Sequence, residues 1–310
     1  MSTRLRAISR GAQLAAFALI AGGSAASAQN KVGRSDLLVT TEWLAKELTN
    51  PKLVLLHVGE KGEYDAGHIP GAQFLRLQDL STPMTRDEKV LALELPSPDD
   101  LRGRLERFGI SDDSRIVIYW GNDWVSPSTR ALLTLQYVGL GAQASILDGG
   151  LPAWKKAGRA VTTEVPAARS GKLSARPTVP VTVDADFVKA HVRAPGYTII
   201  DARNTIFYDG PPSEHEAKPG HIPGSVNLVF EVPFGEDNTL LPEAQLRDVF
   251  LKAGVKPNDT IIAYCHIGQQ ATVIVFAAQT LGYNVKLYDG SMQDWKLRGL
   301  PIENSRKAAK

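Results

Sequence analysis

Cys265 ends an apolar, β-rich run, Thr260-Ile-Ile-Ala-Tyr264, and heads a short polar loop, His266-Ile267-Gly268-Gln269-Gln270. Ala271 follows, and Thr272 to Leu281 then reads as a helix stopped by Gly282. A strand that feeds a thiol into a loop opening a helix is suited to nucleophilic chemistry. The loop's successive backbone N–H groups can converge on the sulfur, and the helix N-terminus adds positive potential. Both favour a thiolate and hold an anion beside it. The residues placed to touch such an anion are His266, Ile267, Gly268, Gln269, Gln270 and Ala271. The two glutamine amides offer neutral donors, and His266 can add charge at mildly acid pH. The alternative for His266 is a solvent-facing loop residue. No other cysteine occurs in the sequence, so an internal disulfide is impossible. A thiol in a loop is not expected to be deeply buried as a simple apolar filler.

The elements that position this loop occur twice. Gly67-His-Ile-Pro-Gly71 recurs as Gly220-His-Ile-Pro-Gly224, and Arg115-Ile-Val-Ile-Tyr119 matches Thr260-Ile-Ile-Ala-Tyr264. Leu135 to Gly139 matches Ala278 to Gly282, Ile146-Leu-Asp-Gly-Gly150 matches Leu287-Tyr-Asp-Gly-Ser291, and Trp154 matches Trp295. The landmarks keep one order, which marks an internal repeat. Each half alternates short apolar runs (Leu53 to His57, Tyr197 to Asp201) with helical patterns (Thr41 to Leu48, Leu101 to Phe108, Leu246 to Ala253). That alternation predicts an α/β fold, each half a mostly parallel sheet flanked by helices. His68 and His221 sit in tight Gly/Pro turns present in both halves, so a structural tie to nearby backbone is expected of them. The halves differ where chemistry would sit: Trp120-Gly-Asn-Asp123 stands where the second half has Cys265. Tryptophan cannot be the nucleophile, so the first half is expected to be inactive while helping to shape a cleft.

Composition excludes several classes. With 310 residues, 43% hydrophobic and 22% charged, the chain has the make-up of a globular protein long enough for two domains. A formal net charge of +2 and no dense basic run give no nucleic-acid signature. No metal-spaced His/Cys cluster and no phosphate-cradling glycine loop are present. Arg4, Arg6 and Arg10, the apolar run Leu14 to Ala21 and Ala26-Ser27-Ala28 read as a signal peptide over 1–28. Its apolar run is short for a membrane span, so a periplasmic or secreted location without a stable span after signal removal is expected. The alternative is an uncleaved anchor.

The combination of Leu38-Val-Thr-Thr-Glu-Trp-Leu44, both Gly-His-Ile-Pro-Gly turns, Asp148-Gly-Gly150, Asp201-Ala-Arg203 and Tyr264-Cys265-His-Ile-Gly-Gln-Gln270 resembles the two-domain rhodanese (thiosulfate sulfurtransferase) family of secreted bacterial type. The resemblance implies an inactive rhodanese-like domain over 35–165, a linker over 166–180 and a catalytic rhodanese-like domain over 181–305. It implies sulfane-sulfur transfer from thiosulfate to a nucleophilic acceptor, cyanide or a thiol, through a Cys265 persulfide. No dissociable cofactor is implied. It also implies that Arg203 lies near the substrate sulfonate; an ion pair with Asp201 is the alternative role. Phe207, Tyr208 and Lys218 could rim the cleft or simply pack.

Loop length separates this chemistry from phosphate hydrolysis. Phosphatases of related architecture need an arginine as the sixth residue after the cysteine, and here Ala271 holds that place. Two departures leave the donor open. Thiosulfate-using members commonly carry an arginine directly after the cysteine and a later cation, where this chain has His266 and Gln269. The Cys-Gly-Ser-Gly loop of mercaptopyruvate-using relatives is also absent. 3-Mercaptopyruvate as donor, and a non-turnover carrier or binding protein for sulfane sulfur, remain alternatives.

Overall fold

A computed structural model describes residues 33–83, 87, 89–122, 124–211 and 219–304. The signal segment, Asp123, Lys218 and the tail from Arg306 lie outside the described residues. In the first half, β1 (Leu38–Val39), β2 (Leu53–Val58), β3 (Ala72–Leu75), β4 (Arg115–Tyr119) and β5 (Ala144–Leu147) form a parallel sheet in the order β1-β5-β4-β2-β3. In the second, β6 (Thr182–Val183), β7 (Tyr197–Asp201), β8 (Val226–Asn227), β9 (Thr260–Tyr264) and β10 (Asn284–Tyr288) repeat it as β6-β10-β9-β7-β8. The flanking helices are α1 (Arg34–Leu37), α2 (Thr41–Glu47), α3 (Lys61–Ala66), α4 (Pro98–Glu106), α5 (Ser126–Tyr137) and α6 (Gly150–Lys156), then α7 (Ala185–Ala190), α8 (Thr205–Asp209), α9 (Glu243–Lys252), α10 (Ala271–Thr280) and α11 (Ser291–Leu297). The fold is therefore the expected α/β class, two parallel five-stranded sheets flanked by helices. Every residue of β2 is buried, as are the last four of β4 and of β9, which is why these strands read as unbroken apolar runs. Helix α2 is capped by Thr40, one residue before its apolar pattern begins, through a 3.2 Å bond from the Trp43 N–H to its hydroxyl.

The two Gly-His-Ile-Pro-Gly turns are built alike, and their histidines are structural. His68 Nδ1 lies 2.7 Å from the Tyr64 carbonyl, and its ring stacks on Tyr64 at 3.8 Å. His221 Nδ1 lies 3.1 Å from the Tyr208 carbonyl, and its ring stacks on Tyr208 at 3.7 Å. The buried tyrosines that end β4 and β9 complete each turn: Tyr119 Oη accepts from Ile69 N–H, and Tyr264 Oη from Ile222 N–H. Tyr208 thus packs against its turn rather than rimming a cleft. Trp154 and Trp295 are core residues whose indole N–H groups donate to Ala160 and Pro301 carbonyls. The stretch 166–180 crosses the surface without regular structure, but it is strapped to the first half. Gly171 N–H donates to Glu106 O, Arg176 bonds Asp112, and Val179 N–H reaches Tyr137 O.

The halves meet through α5 and α10, and repeat-equivalent residues touch each other there. Thr129 Oγ1 and Thr272 Oγ1 are 2.7 Å apart, and the side-chain amides of Gln136 and Gln279 exchange bonds of 2.9 and 3.1 Å. Residues that meet their own equivalents mark a local two-fold axis. One apolar cluster runs across that axis, joining Leu132 and Leu135 to Ile274 and Ala278. Since the amide pair is half-buried and reciprocal, Gln136→Ala and Gln279→Ala should couple. A double-mutant cycle by urea unfolding should give an interaction energy of about 1 kcal/mol. Simple additivity would show that the amides do not hold the halves together.

Candidate active site

Strand β9 delivers Cys265, and the residues around it come from both halves. The Cys265 N–H donates to Ser291 Oγ at 3.1 Å, and that hydroxyl donates to the Tyr288 carbonyl at 2.9 Å. Ser291 has a backbone φ of +50°, in the left-handed region that disfavours non-glycine residues. Its equivalent in the first half is Gly150, at φ +57°, where a Cβ would come within 2.8 Å of the Trp120 ring. The first turn of α11 donates to the carbonyls at the head of the loop: Met292 N–H to Cys265 O and Gln293 N–H to His266 O. Gly268, at φ +79°, turns the loop back. A Cβ there would sit 2.5 Å from the Asp289 carbonyl oxygen. The backbone N–H groups of Ile267, Gly268, Gln269, Gln270 and Ala271 donate to no group among the described residues. Donors left open in succession form an anion-accepting nest.

Cys265 is only 1% exposed, deeper than its place in a loop led us to expect. The reason is that the loop folds back over the strand end, so the thiol joins the apolar cluster with Ala202 and Ala271. His266 and Ile267 are half-buried, Gly268 is buried, Gln269 and Gln270 are half-buried, and Ala271 is buried as the first residue of α10. Phe207 and His266 meet in a T-shaped pair with centroids 4.7 Å apart, so His266 is not simply solvent-facing. Gln269 does not present its amide freely: Nε2 donates to Ser126 Oγ of the first half at 3.1 Å.

Arg203 takes the second of the two roles weighed for it. It is fully buried; Nε and Nη2 bond both Asp201 oxygens at 2.6–3.1 Å, and Nη2 donates to Gly220 O at 2.7 Å. An arginine two residues beyond a buried aspartate at a strand end folds back onto it, since burial makes an unpaired carboxylate costly. The same environment affects Tyr264: burial, then the nearby Asp201 charge, raises its phenol well above the ordinary value.

The residue that braces the loop lies in the other half. Arg130 on α5, 1% exposed, bonds both Asp289 oxygens and donates to Gly268 O at 3.2 Å and to Leu93 O. One guanidinium thereby joins the first half, the Cys265 loop and the turn after β10. In the first half the equivalent carboxylate, Asp148, forms no ion pair among the described residues, although the Arg34 charge lies near it. It accepts from Leu240 N–H at 2.9 Å, and burial raises its pKa. Glu94, next to Leu93, has its carboxyl pushed from an ordinary 4.5 to about 7, first by burial and then by the Asp289 charge.

Comparison with known proteins agrees with this architecture. The Rhodanese-like domain family matches residues 40–157 and again 184–298. The chain belongs to the rhodanese family. A probable 3-mercaptopyruvate sulfurtransferase of Pseudomonas aeruginosa is 33% identical over 83% of this chain and 94% of its own length. A sulfur carrier protein of Thermus thermophilus is 32% identical over 86% and 96%. A putative thiosulfate sulfurtransferase of Mycolicibacterium smegmatis is 31% identical over 88% and 99%. An anaerobic ergothioneine biosynthesis enzyme from Chlorobium limicola shares the fold, with a TM-score of 0.75 and 21% identity over 89% of this chain and 72% of that one.

Sequence reasoning missed Arg130 and Ser291. Arg130 was visible as a lone charge in the otherwise uncharged α5 pattern, and Ser291 as the one change between Asp148-Gly-Gly150 and Asp289-Gly-Ser291. Neither signal names a partner. Arg130→Met strands Asp289 in a buried site and should cost roughly 3–5 kcal/mol of stability. It should also lower sulfur-transfer turnover, although the residue lies outside the cysteine-bearing half. Wild-type stability and kcat in this variant would exclude the brace. Glu94 gives a pH signature. The folded chain keeps its proton up to about pH 7 and the unfolded chain releases it near 4.5, so stability is lost as pH rises between those values. Glu94→Gln should therefore gain stability relative to wild type between pH 5 and pH 8 in urea titrations. An unchanged difference would contradict the assignment.

Proposed function

We propose that this rhodanese-family protein is a sulfurtransferase that takes sulfane sulfur from thiosulfate onto Cys265 and passes it to cyanide or a thiol. One observation carries the reading: the lone thiol lies under a short arginine-free loop whose five N–H groups from Ile267 to Ala271 have no protein acceptor among the described residues. Relatives named for 3-mercaptopyruvate, thiosulfate and sulfur-carrier roles support sulfur transfer as the general chemistry.

The thiolate attacks the outer sulfur of thiosulfate. A sulfur–sulfur bond forms to Cys265, and the bond to the sulfonate sulfur breaks. Sulfite leaves with that electron pair. The persulfide anion then sits among the loop N–H groups, which suit a compact charge. Cyanide carbon attacks the outer sulfur, thiocyanate leaves, and the Cys265 thiolate returns. Burial of the thiol favours donors that extend a single sulfur atom into the loop. The persulfide then carries the reactive sulfur about 2 Å further out, one sulfur–sulfur bond length. Arg203 contributes its field and supports the turn, but its guanidinium already serves Asp201 and Gly220. His266 to Ala271 form the donor pocket, with Gln269 exchanging its Ser126 bond for a sulfonate oxygen when donor binds.

3-Mercaptopyruvate is the second reading, favoured by the uncharged loop and by the Pseudomonas relative. Its C–S bond would break, the sulfur joining Cys265 and pyruvate leaving as an enolate that takes up a proton. Either way the intermediate is covalent and no dissociable cofactor is needed. The N-terminal pattern supports a periplasmic or secreted setting, and among the described residues no helix is long and apolar enough to cross a membrane.

Mature protein mixed with thiosulfate and cyanide should yield thiocyanate with ping-pong kinetics, and Cys265→Ser should abolish it. Gln269→Lys should raise kcat/KM for thiosulfate several-fold, on the order of one added loop charge, and leave mercaptopyruvate use less affected. If wild type turns over mercaptopyruvate alone, the donor assignment changes. If it turns over neither, the enzymatic reading fails.

A further inference from the structure

The first half lacks the thiol but has a cavity beside the equivalent position, lined by Trp120. Ser126 and Gln269, which bond each other, are separated by the same interval as the axis pair Thr129 and Thr272. Residues 121–125 therefore span in the first half what 266–268 span in the second, and the longer loop carries Trp124. Trp124 and Val125 of that loop face Phe230, Phe234 and their neighbours in the second half across a cavity of about 260 Å³. Trp120, Trp124, Phe230 and Phe234 line the cavity together with Glu231 and Glu236. Trp120 and Phe234 meet edge to face at 6.3 Å and 87°, and Trp124 and Phe230 meet at 5.7 Å and 61°. Trp120 and Phe230 are buried and held by the core, whereas Trp124 is 58% exposed. Both glutamates are exposed, and among the described lining residues none is cationic.

We infer that this cavity binds a small organic cation of the alkylammonium class. The faces of aromatic rings carry negative potential and attract a cation that is weakly hydrated and apolar at its surface. Two carboxylates add charge of the same sign, and no lysine or arginine of the cavity neutralises them. A neutral apolar ligand would gain from the rings but would leave both glutamates without a role. A metal ion would find carboxylates but would make no use of the accessible rings of Trp124 and Phe234. An inorganic anion would be repelled by both features. The position fits a second site as well: Trp120 stands where the second half has Cys265, so the cavity is the first half's counterpart of the thiol pocket. The inference does not depend on which sulfur donor is used, because Cys265 does not line this cavity.

The test is titration of the full chain with tetramethylammonium and with choline, read by tryptophan fluorescence and by calorimetry. The control is 3,3-dimethylbutan-1-ol, which has the shape of choline without its charge. Saturable binding of both cations is expected, with the alcohol at least about tenfold weaker. Trp124→Ala should weaken choline about tenfold with an unchanged circular dichroism spectrum, since its ring is mostly exposed. The double variant Glu231→Gln/Glu236→Gln should weaken choline by about fivefold and flatten the salt dependence. Cys265→Ser should bind as wild type does. Equal affinity for choline and the alcohol, absence of saturation, or wild-type binding by Trp124→Ala would each overturn the inference.

Discussion

The ion pair between Arg130 and Asp289 is the contact on which the site depends. A guanidinium that is 1% exposed must have all its charge answered inside the protein, and it finds partners in three separate segments. Those segments are the Cys265 loop, the turn after β10 and the stretch around Leu93. The pair is worth little as net stability, because two charges were taken out of water to form it. Breaking either end would leave a buried charge, which penalises arrangements of the halves that separate the two. The first half is thus part of the surroundings of Cys265, bracing its loop through Arg130 and Ser126.

Repetition explains how the arrangement arises from so few devices. Both halves use a parallel sheet of the same order, a histidine stacked on a tyrosine at the Gly-His-Ile-Pro-Gly turn, and a strand-ending tyrosine that caps that turn. The helices α5 and α10 then meet across a local two-fold axis. Function enters where symmetry is broken: Cys265 against Trp120, Ser291 against Gly150, and Arg130 against Val273, which has no charge to offer. The shorter loop in the second half keeps its N–H groups open, whereas the longer loop in the first presents an indole.

Much of this was legible in the chain. The parallel sheets follow from unbroken apolar runs, and the turn roles of His68 and His221 follow from glycine and proline flanks repeated in both halves. Cys265 was singled out as the sole thiol, at the end of a strand and the head of a loop opening a helix, and Trp120 at the repeat position set the two halves apart. What was not legible depends on contacts between residues far apart in sequence. The direction of the Arg203 fork depends on Asp201 being sealed from water. The burial of Cys265 depends on a loop that folds back at Gly268, and the orientation of Gln269 depends on Ser126 arriving from the other half. Periodicity and residue type report which face is apolar; they do not report which charge crosses an interface.

The most direct measurement of the central claim is the mass of the intact protein after incubation with thiosulfate and removal of excess donor. The account predicts one added sulfur atom, located on the peptide containing Cys265, lost on treatment with cyanide and absent from Cys265→Ser. A chain that gains no sulfur from thiosulfate, or gains it equally without Cys265, would contradict it.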